Sequence, residues 1–391
     1  MSDSGVKIEI RDMSNMLADR IDAVVRHLSL DAVPSYVSQN CLYPLNPTRA
    51  DTNPGSFYIY LAGEKRGSWY DRATGDHGDA LDLVAYVDFN RDLKKAYKWG
   101  LTWLGLSDVS APEVHQRAND ARLARARREK EAEAKAKKTR KAAQALWLGP
   151  RDEPNKRAVE GGLCDLYLKG RSIDMLGRCG ELPGCVRETM KCKVPLGWLG
   201  PHGRSHVPAL LLAVHNAQGF LACHRVYLDV TFDGDRPVAA RKAMLEPVDL
   251  AQFNGKMPKN RSKFVYGDFW GGSIRIYRGP TGKRIGDLVS DDPTAITEGF
   301  ENGCGLAVSL ADTDDQYRIV ASLSLSNMGN VELPDVIRTL TLVGENDGSE
   351  EARKAFERAC QAHAQAGRDV FRVWPPAGVN DVNDMLTAGA Q

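Results

Sequence analysis

Twice in this chain a short apolar run ends on a carboxylate and passes straight into a helical pattern. That repeat constrains the fold more than any other feature. The first copy is TAITEGFENG, where the run Thr294–Thr297 stops at Glu298 and Gly299. Phe300, Cys304, Ala307, Val308 and Ala311 then recur at helical spacing. The second copy is the apolar run 340–343, followed by Glu345, Asn346, Asp347 and Gly348. Ala352, Ala355, Phe356, Ala359 and Cys360 lie on one face of the helix after it, and Gly367 is its expected stop. Residues 318–323 and 369–374 read as two further strands. Strands connected through helices run parallel, so both acidic ends reach the same sheet edge, and in open α/β sheets that carboxyl edge is where ligands bind.

Composition bounds the rest. At 391 residues the chain has room for two or three domains. Its 52 basic and 51 acidic side chains leave a net charge of +1, so charge alone selects no partner. No run approaches the length of a membrane span, and the opening MSDSGVKIEIRDM lacks the apolar core of a signal peptide. A cytoplasmic protein with no membrane partner is expected. The eight scattered cysteines then read as free thiols.

Residues 107–147 read as a charged helical linker: the segment after Pro112 is rich in Ala, Lys, Arg and Glu and has no wide apolar face. Residues 148–290 read as a mixed α+β region. DLYLKGRSI suggests a helix ending at Gly170 with Arg171 just beyond, and 208–214 with 220–228 a β-hairpin. Arg171, His224, Arg225, Arg241, Lys242 and Lys263 are the candidate nucleotide contacts, because Lys and Arg are the natural partners of phosphate oxygens. Cys179, Cys185 and Cys192 match no common zinc spacing.

In residues 1–106 a helix over 7–30 is expected, then strands at 56–61 and 67–70 and a helix over 79–87. ADTNPGSF (50–57) and the pattern G-x-W-x-D-x-x-T-G from Gly67 to Gly75 resemble the N-terminal zinc-binding domain of bacterial and phage primases. The ligand positions depart from that pattern. Only Cys41 and His77 remain, and a structural zinc takes four ligands. A zinc-free version of this small zinc-ribbon-like α+β domain is therefore expected. Tyr58, Lys65, Arg66 and Trp69, with Tyr60, are the candidate single-stranded DNA contacts, by stacking and phosphate pairing. The other reading of the aromatics is core.

From about residue 293 the acidic elements resemble the Toprim domain, the catalytic fold shared by bacterial-type primases, type IA and II topoisomerases and related nucleases. The residues that carry the likeness are Thr297-Glu298-Gly299, then Glu345-Asn346-Asp347 with Glu345 in an aspartate's place, and PPAGVNDVNDML at 375–386. With YLKGRSI, HRVYL, KAML and the Gly271-Gly272 element it extends over most of 146–391. The resemblance implies an α/β, multi-domain chain that ends in a Rossmann-like parallel sheet flanked by helices over 291–391. It implies Glu298, Glu345 and Asp347 as catalytic residues. These three, with Asp381 and Asp384, would be ligands for Mg²⁺ or Mn²⁺. Crowded carboxylates repel one another without a cation, and paired hard metals stabilise the attacking and leaving oxygens of phosphoryl transfer. Glu301, one turn into the helix, is expected to be a supporting or surface group. The chain resembles a phage- or plasmid-type DNA primase that makes RNA primers on single-stranded DNA from NTPs. No Walker motif is present, so a separate replicative helicase is the expected partner. A Toprim nuclease and a catalytically weakened single-strand-binding adaptor are the alternatives.

Overall fold

The computed structural model describes residues 8–38, 40–107, 109–250, 257–258, 261–346, 349–376 and 378–389. The chain divides into two compact units, Met1–Lys135 and Ala136–Gln391.

The first unit opens with two helices, Ile10–Asp19 and Ile21–His27, rather than the single helix expected over 7–30; the break is at Arg20, whose φ of −114° and ψ of 25° leave the helical region. Five short strands follow in antiparallel sequence: Ser35–Ser38, Cys41–Pro44, Phe57–Tyr60, Trp69–Asp71 and His77–Gly78. Strand alternation sends Leu42, Phe57, Ile59 and Trp69 inward against Leu17, Ile21, Leu81 and Val84. The helix Ala80–Asp88 starts on a capping box: Asp79 accepts from the backbone of Leu81 and Asp82, and the Asp82 carboxylate accepts from Asp79 N. The loop before the third strand is held by a buried polar group. Asp71 accepts from Asn46 Nδ2 at 2.7 Å and from Arg49 Nε at 3.0 Å. Burial would raise the Asp71 carboxyl, but the bonds from Arg49, Ala73 and Asn46 outweigh it and hold the group below its ordinary value. Cys41 and His77 lie on strands three steps apart in the sheet, roughly 14 Å at the usual strand spacing. They cannot share one metal ion.

The charged segment forms one helix, Ala111–Leu148. It is not solvated along its whole length, as its composition suggested. Val114, Ala118 and Ala121 are buried, and Arg122 and Arg128 each bond at 2.6 Å to Asp12 and Asp19 of the first helix. Val114, Ala118 and Ala121, at i, i+4 and i+7, share one face over two turns, which makes a narrow buried stripe despite the absence of a broad apolar face.

The second unit is built on one mixed sheet of eleven strands among the described residues. Its hairpin pairs His206–Asn216 with Gly219–Asp233, and Arg236–Lys242 and Lys263–Tyr266 both pair with the second arm. Ser273–Arg278 joins the hairpin to the parallel part. There the four expected strands stand in the order Arg318–Ala321, Thr294–Thr297, Thr339–Val343, Asp369–Val373, all parallel. The helices cover both faces. Phe300–Leu310 packs Phe300, Cys304 and Ala307 with Ala295, Ile319 and Ala321. Glu350–Gln365 packs Phe356, Ala359 and Cys360 on the other side with Ile296, Leu340 and Leu342.

Candidate functional site

In the parallel part of the sheet the strand holding Thr294–Thr297 lies between the strands that come second and third in sequence. The chain therefore reverses direction across the sheet between the first and third strands, the switch point where open α/β sheets bind ligands. Glu298 directly follows the first of these strands and Glu345 follows the third, so the topology brings both carboxylates to that crevice, where they border a pocket with Val343 and Trp374. The loop after the fourth strand is drawn in by Asn346. Its Nδ2 donates to the carbonyls of Pro375 at 3.0 Å and Val379 at 2.8 Å, and its N–H to Asn380 O at 2.7 Å. Asp381 is thereby brought within electrostatic reach of Glu345. Asp384 supplies its N–H to the Asp381 carboxylate at 2.9 Å, while its own side chain is exposed one turn further on. Asp347 lies outside the described residues.

The electrostatics of this edge are those of crowded acids. The Glu345 carboxyl is pushed up to about 7, first by burial, then by Glu298 and Asp381; a 2.5 Å bond from Asn302 Nδ2 and the charge of Lys263 oppose the rise. A cation at this edge would relieve that repulsion, and carboxylate oxygens suit Mg²⁺ or Mn²⁺. Among the described residues no three of His, Cys, Asp and Glu converge tightly enough to hold a metal ion by themselves. Glu298, Glu345 and Asp381 are the described residues that would contribute.

Beside the acids is a basic face. His224, Val226 and Leu228 point to one side of their strand; Lys263 is in register with Val226 and Lys242 with Leu228, so both lysines share that side. They converge on Glu301, which is 4% exposed rather than at the surface. Lys263 Nζ lies 2.7 Å from Glu301 Oε2, Lys242 Nζ 3.4 Å from Oε1, and Tyr167 OH donates to Oε1 at 2.6 Å. Burial alone would raise the Glu301 carboxyl, but Lys263, Lys242 and the bonds from Lys263 and Tyr167 hold it well below the carboxylate range. Arg171 follows the helix Leu163–Lys169, as expected, and its charge acts on Lys242. With its amide turned to match, Asn383 of the terminal motif donates to Arg171 O and accepts from Arg171 Nη2, both at 3.1 Å. His224 is pushed down to about 3 by burial and then by Lys263, so it is a neutral ring at physiological pH.

Two of the expected nucleotide contacts are placed elsewhere. Arg225 and Arg241 occupy the alternate positions of their strands and face the opposite side of the sheet. Arg225 Nη1 donates to Tyr227 OH at 2.9 Å, within the cluster of Cys192, Cys223 and Tyr227. Arg241 pairs with Asp229 at 3.0 Å on the surface. Successive strand residues alternate faces, so neighbouring arginine and lysine cannot both reach one ligand.

The DNA candidates of the first unit divide in the same way. Trp69 is buried against Phe57 and Tyr86, with ring centroids 5.6 and 4.5 Å away, and so it is core. Arg66 is tied to the carbonyls of Leu61, Ala18 and Asp19 and pairs with Asp22 at 2.7 Å. Tyr58 belongs to the outer face of the sheet. There Tyr36, Tyr43, Tyr58 and Tyr70 stand on successive strands with neighbouring centroids 4.8 to 5.9 Å apart, and Tyr60 adjoins Tyr58. The Arg72 guanidinium lies 5.1 Å from the Tyr58 ring centroid, and Lys65 Nζ lies 5.6 Å from that of Tyr60. Tyr36, Tyr43, Tyr70 and Arg72 were missed as members of this face; the period-2 alternation of Phe57 with Tyr58 and of Trp69 with Tyr70 was the available signal.

Comparison with known proteins agrees with this layout in the C-terminal region, where residues 294–391 match the Toprim domain model. Residues 137–275, upstream of that region, match a family described as a domain of unknown function, DUF7146. Among solved structures the chain is similar to the Aquifex aeolicus primase (zinc-binding and RNA polymerase domains), at 13% identity over 96% of this chain and 82% of that one, with a TM-score of 0.31. It is also similar to the primase fragment of the bacteriophage T7 primase-helicase protein, at 14% identity over 62% of this chain and 77% of that one, with a TM-score of 0.33. Comparison with curated proteins gives no match. Among the described residues no helix is long and apolar enough to cross a membrane.

Proposed function

We propose that the chain is a DNA primase that synthesises short RNA primers on single-stranded DNA from ribonucleoside triphosphates. The observation that carries this reading is the meeting of the Toprim acidic edge with a basic face in one compact unit, with the Lys263 charge acting on both Glu301 and Glu345. A nuclease needs the acids but has no use for a face that takes a triphosphate. In the reaction the 3′-hydroxyl of one nucleotide attacks the α-phosphate of the next and pyrophosphate leaves. Glu298 and Glu345, with Asp347 and Asp381, would hold Mg²⁺ or Mn²⁺, which when bound offsets negative charge on the reacting oxygens. Lys242, Lys263 and Arg171 bind and orient the phosphates as fixed positive groups in a partly water-excluded site. The tyrosine face, with Arg72 and Lys65, binds template by stacking and phosphate pairing. A separate helicase would supply unwinding.

The test is primer synthesis on single-stranded DNA with labelled ribonucleotides and Mg²⁺, comparing wild type with Glu298→Ala, Glu345→Ala and Asp347→Ala. Short RNA products and pyrophosphate are expected from wild type, with a loss of at least a hundredfold in each variant. Strand scission without synthesis would make the chain a nuclease. Metal-independent binding with neither activity would make it an adaptor.

A further inference from the structure

We propose that Glu301 is the positioning residue of the phosphate-binding face: its buried carboxylate sets the ammonium groups of Lys242 and Lys263 side by side, charged and pointing to one side of the sheet, with donors left for a triphosphate. The proposal rests on the primase reading above and names a residue that the Toprim acidic pattern does not include.

Geometry carries it. The carboxylate is almost wholly enclosed, and it meets both lysines and the Tyr167 hydroxyl with its two oxygens. Those partners come from three separate elements: the helix Leu163–Lys169 and the strands Arg236–Lys242 and Lys263–Tyr266. Glu301 thus bonds to side chains from three segments far apart in sequence, two of which pair with the same hairpin arm. It also lies on the helix that begins just after Glu298, so the same rigid element relates the lysines to the acidic edge. An ammonium has three donors, and one bond to Glu301 leaves the others for phosphate oxygens. Both lysine side chains keep some exposure, 31% for Lys242 and 22% for Lys263, so a ligand can reach them.

The charge is needed as well as the shape. Two lysines and Arg171 near one point repel each other, and His224 behind them is neutral. The Lys242 ammonium is pushed down first by burial and then by Lys263 and Arg171, with Glu301 the group that pulls it back up. Tyr167 is a neutral donor, its hydroxyl raised far above its ordinary value by burial and by Glu301. Among the groups that act on Lys242, Glu301 alone pulls its ammonium back up, while Lys263 also feels the Glu345 carboxylate.

Glu301→Gln keeps the size and one acceptor and removes the charge. The measurements are ATP binding by equilibrium dialysis, the KM for ribonucleotides in primer synthesis, and the titration of the lysines by NMR with ¹³C at Cε. Glu301→Gln should weaken ATP binding about tenfold or more, raise KM more than it lowers kcat, and move the Lys242 titration to lower pH. Arg241→Gln, on the opposite face, should leave all three unchanged. ATP affinity equal to or tighter than wild type in Glu301→Gln, with an unmoved Lys242 titration, overturns the proposal. Should Glu301→Gln not fold, Glu301→Asp carries the test. It withdraws the charge by one methylene and should weaken ATP several-fold; wild-type affinity there overturns the proposal. If wild type itself binds no ATP and makes no primer, the primase reading falls. The lysine titration then decides Glu301 separately: a Lys242 signal that does not move in Glu301→Gln overturns it.

Discussion

Glu345 differs by one methylene from the aspartate that the Toprim pattern has at its position, and its surroundings make that carboxyl hard to ionise. Burial, Glu298 and Asp381 together push it up to about 7, against an ordinary value near 4.5. The consequence for stability has a definite sign. A carboxyl whose folded pKa lies above its unfolded one binds more protons in the folded state, so stability falls as pH rises from about 4.5 through 7. Without divalent metal, Glu345→Gln should therefore be more stable than wild type at pH 8 and equal to it at pH 4.5. The expected gain is on the order of 1 kcal/mol after discounting for solvent screening, or about 2–4 °C in thermal midpoint. Added Mg²⁺ should raise the midpoint of wild type at pH 8 and that of Glu345→Gln much less. Thermal scans at the two pH values with and without the metal measure this, and a variant less stable than wild type at pH 8 would show that Glu345 is not a repelled acid.

At the scale of elements, the first unit's sheet has two sides, an outer face of contacting tyrosine rings and an inner face packed as core. Tyr43→Ala or Tyr58→Ala removes a ring from the outer face. Each should weaken binding of a short single-stranded oligonucleotide by about 1–3 kcal/mol, the usual worth of one stacked base, with little change in melting temperature. Trp69→Ala should do the reverse and destabilise the first unit by about 3–5 kcal/mol through the cavity it leaves. Fluorescence titration and thermal melts distinguish the two classes. Much of the element pattern was legible in the sequence. The runs at Thr294–Thr297 and Thr339–Val343 are apolar because helices cover both faces of their sheet, and the hairpin announced itself by its turn. The strands Ser35–Ser38 and Cys41–Pro44 were not legible, since each has only four residues and the Ser and Pro at their ends read as turn or loop. Nor was the burial of Glu301. Its partners Tyr167, Lys242 and Lys263 are 134, 59 and 38 positions away in the chain; sheet register aligns the two lysines, and helix packing brings Tyr167 to them. The opposite facings of Arg225 and His224, by contrast, follow from strand alternation alone.

For the whole molecule, the two compact units carry different chemistry. The first holds stacked aromatics with Arg72 and Lys65 beside their rings; the second holds the acids of the sheet edge and the lysines that meet Glu301. Template affinity and nucleotide affinity should therefore be separable by mutation. Lys263→Gln should raise the KM for ribonucleotides about tenfold or more and change oligonucleotide affinity by less than about twofold at 100 mM salt. The double variant Tyr43→Ala, Tyr58→Ala should do the opposite. The salt dependence sharpens the distinction, because each phosphate neutralised by Lys or Arg on a single strand adds about 0.7 to the slope of log affinity against log salt. Lys263→Gln should leave that slope as in wild type, whereas Arg72→Gln should reduce it by about one such step. If Lys263→Gln lowers the slope as Arg72→Gln does, the basic face contacts template phosphates as well as nucleotide, and the division of labour between the units is not clean. An unchanged slope with a raised KM is the outcome that assigns Lys263 to the incoming nucleotide.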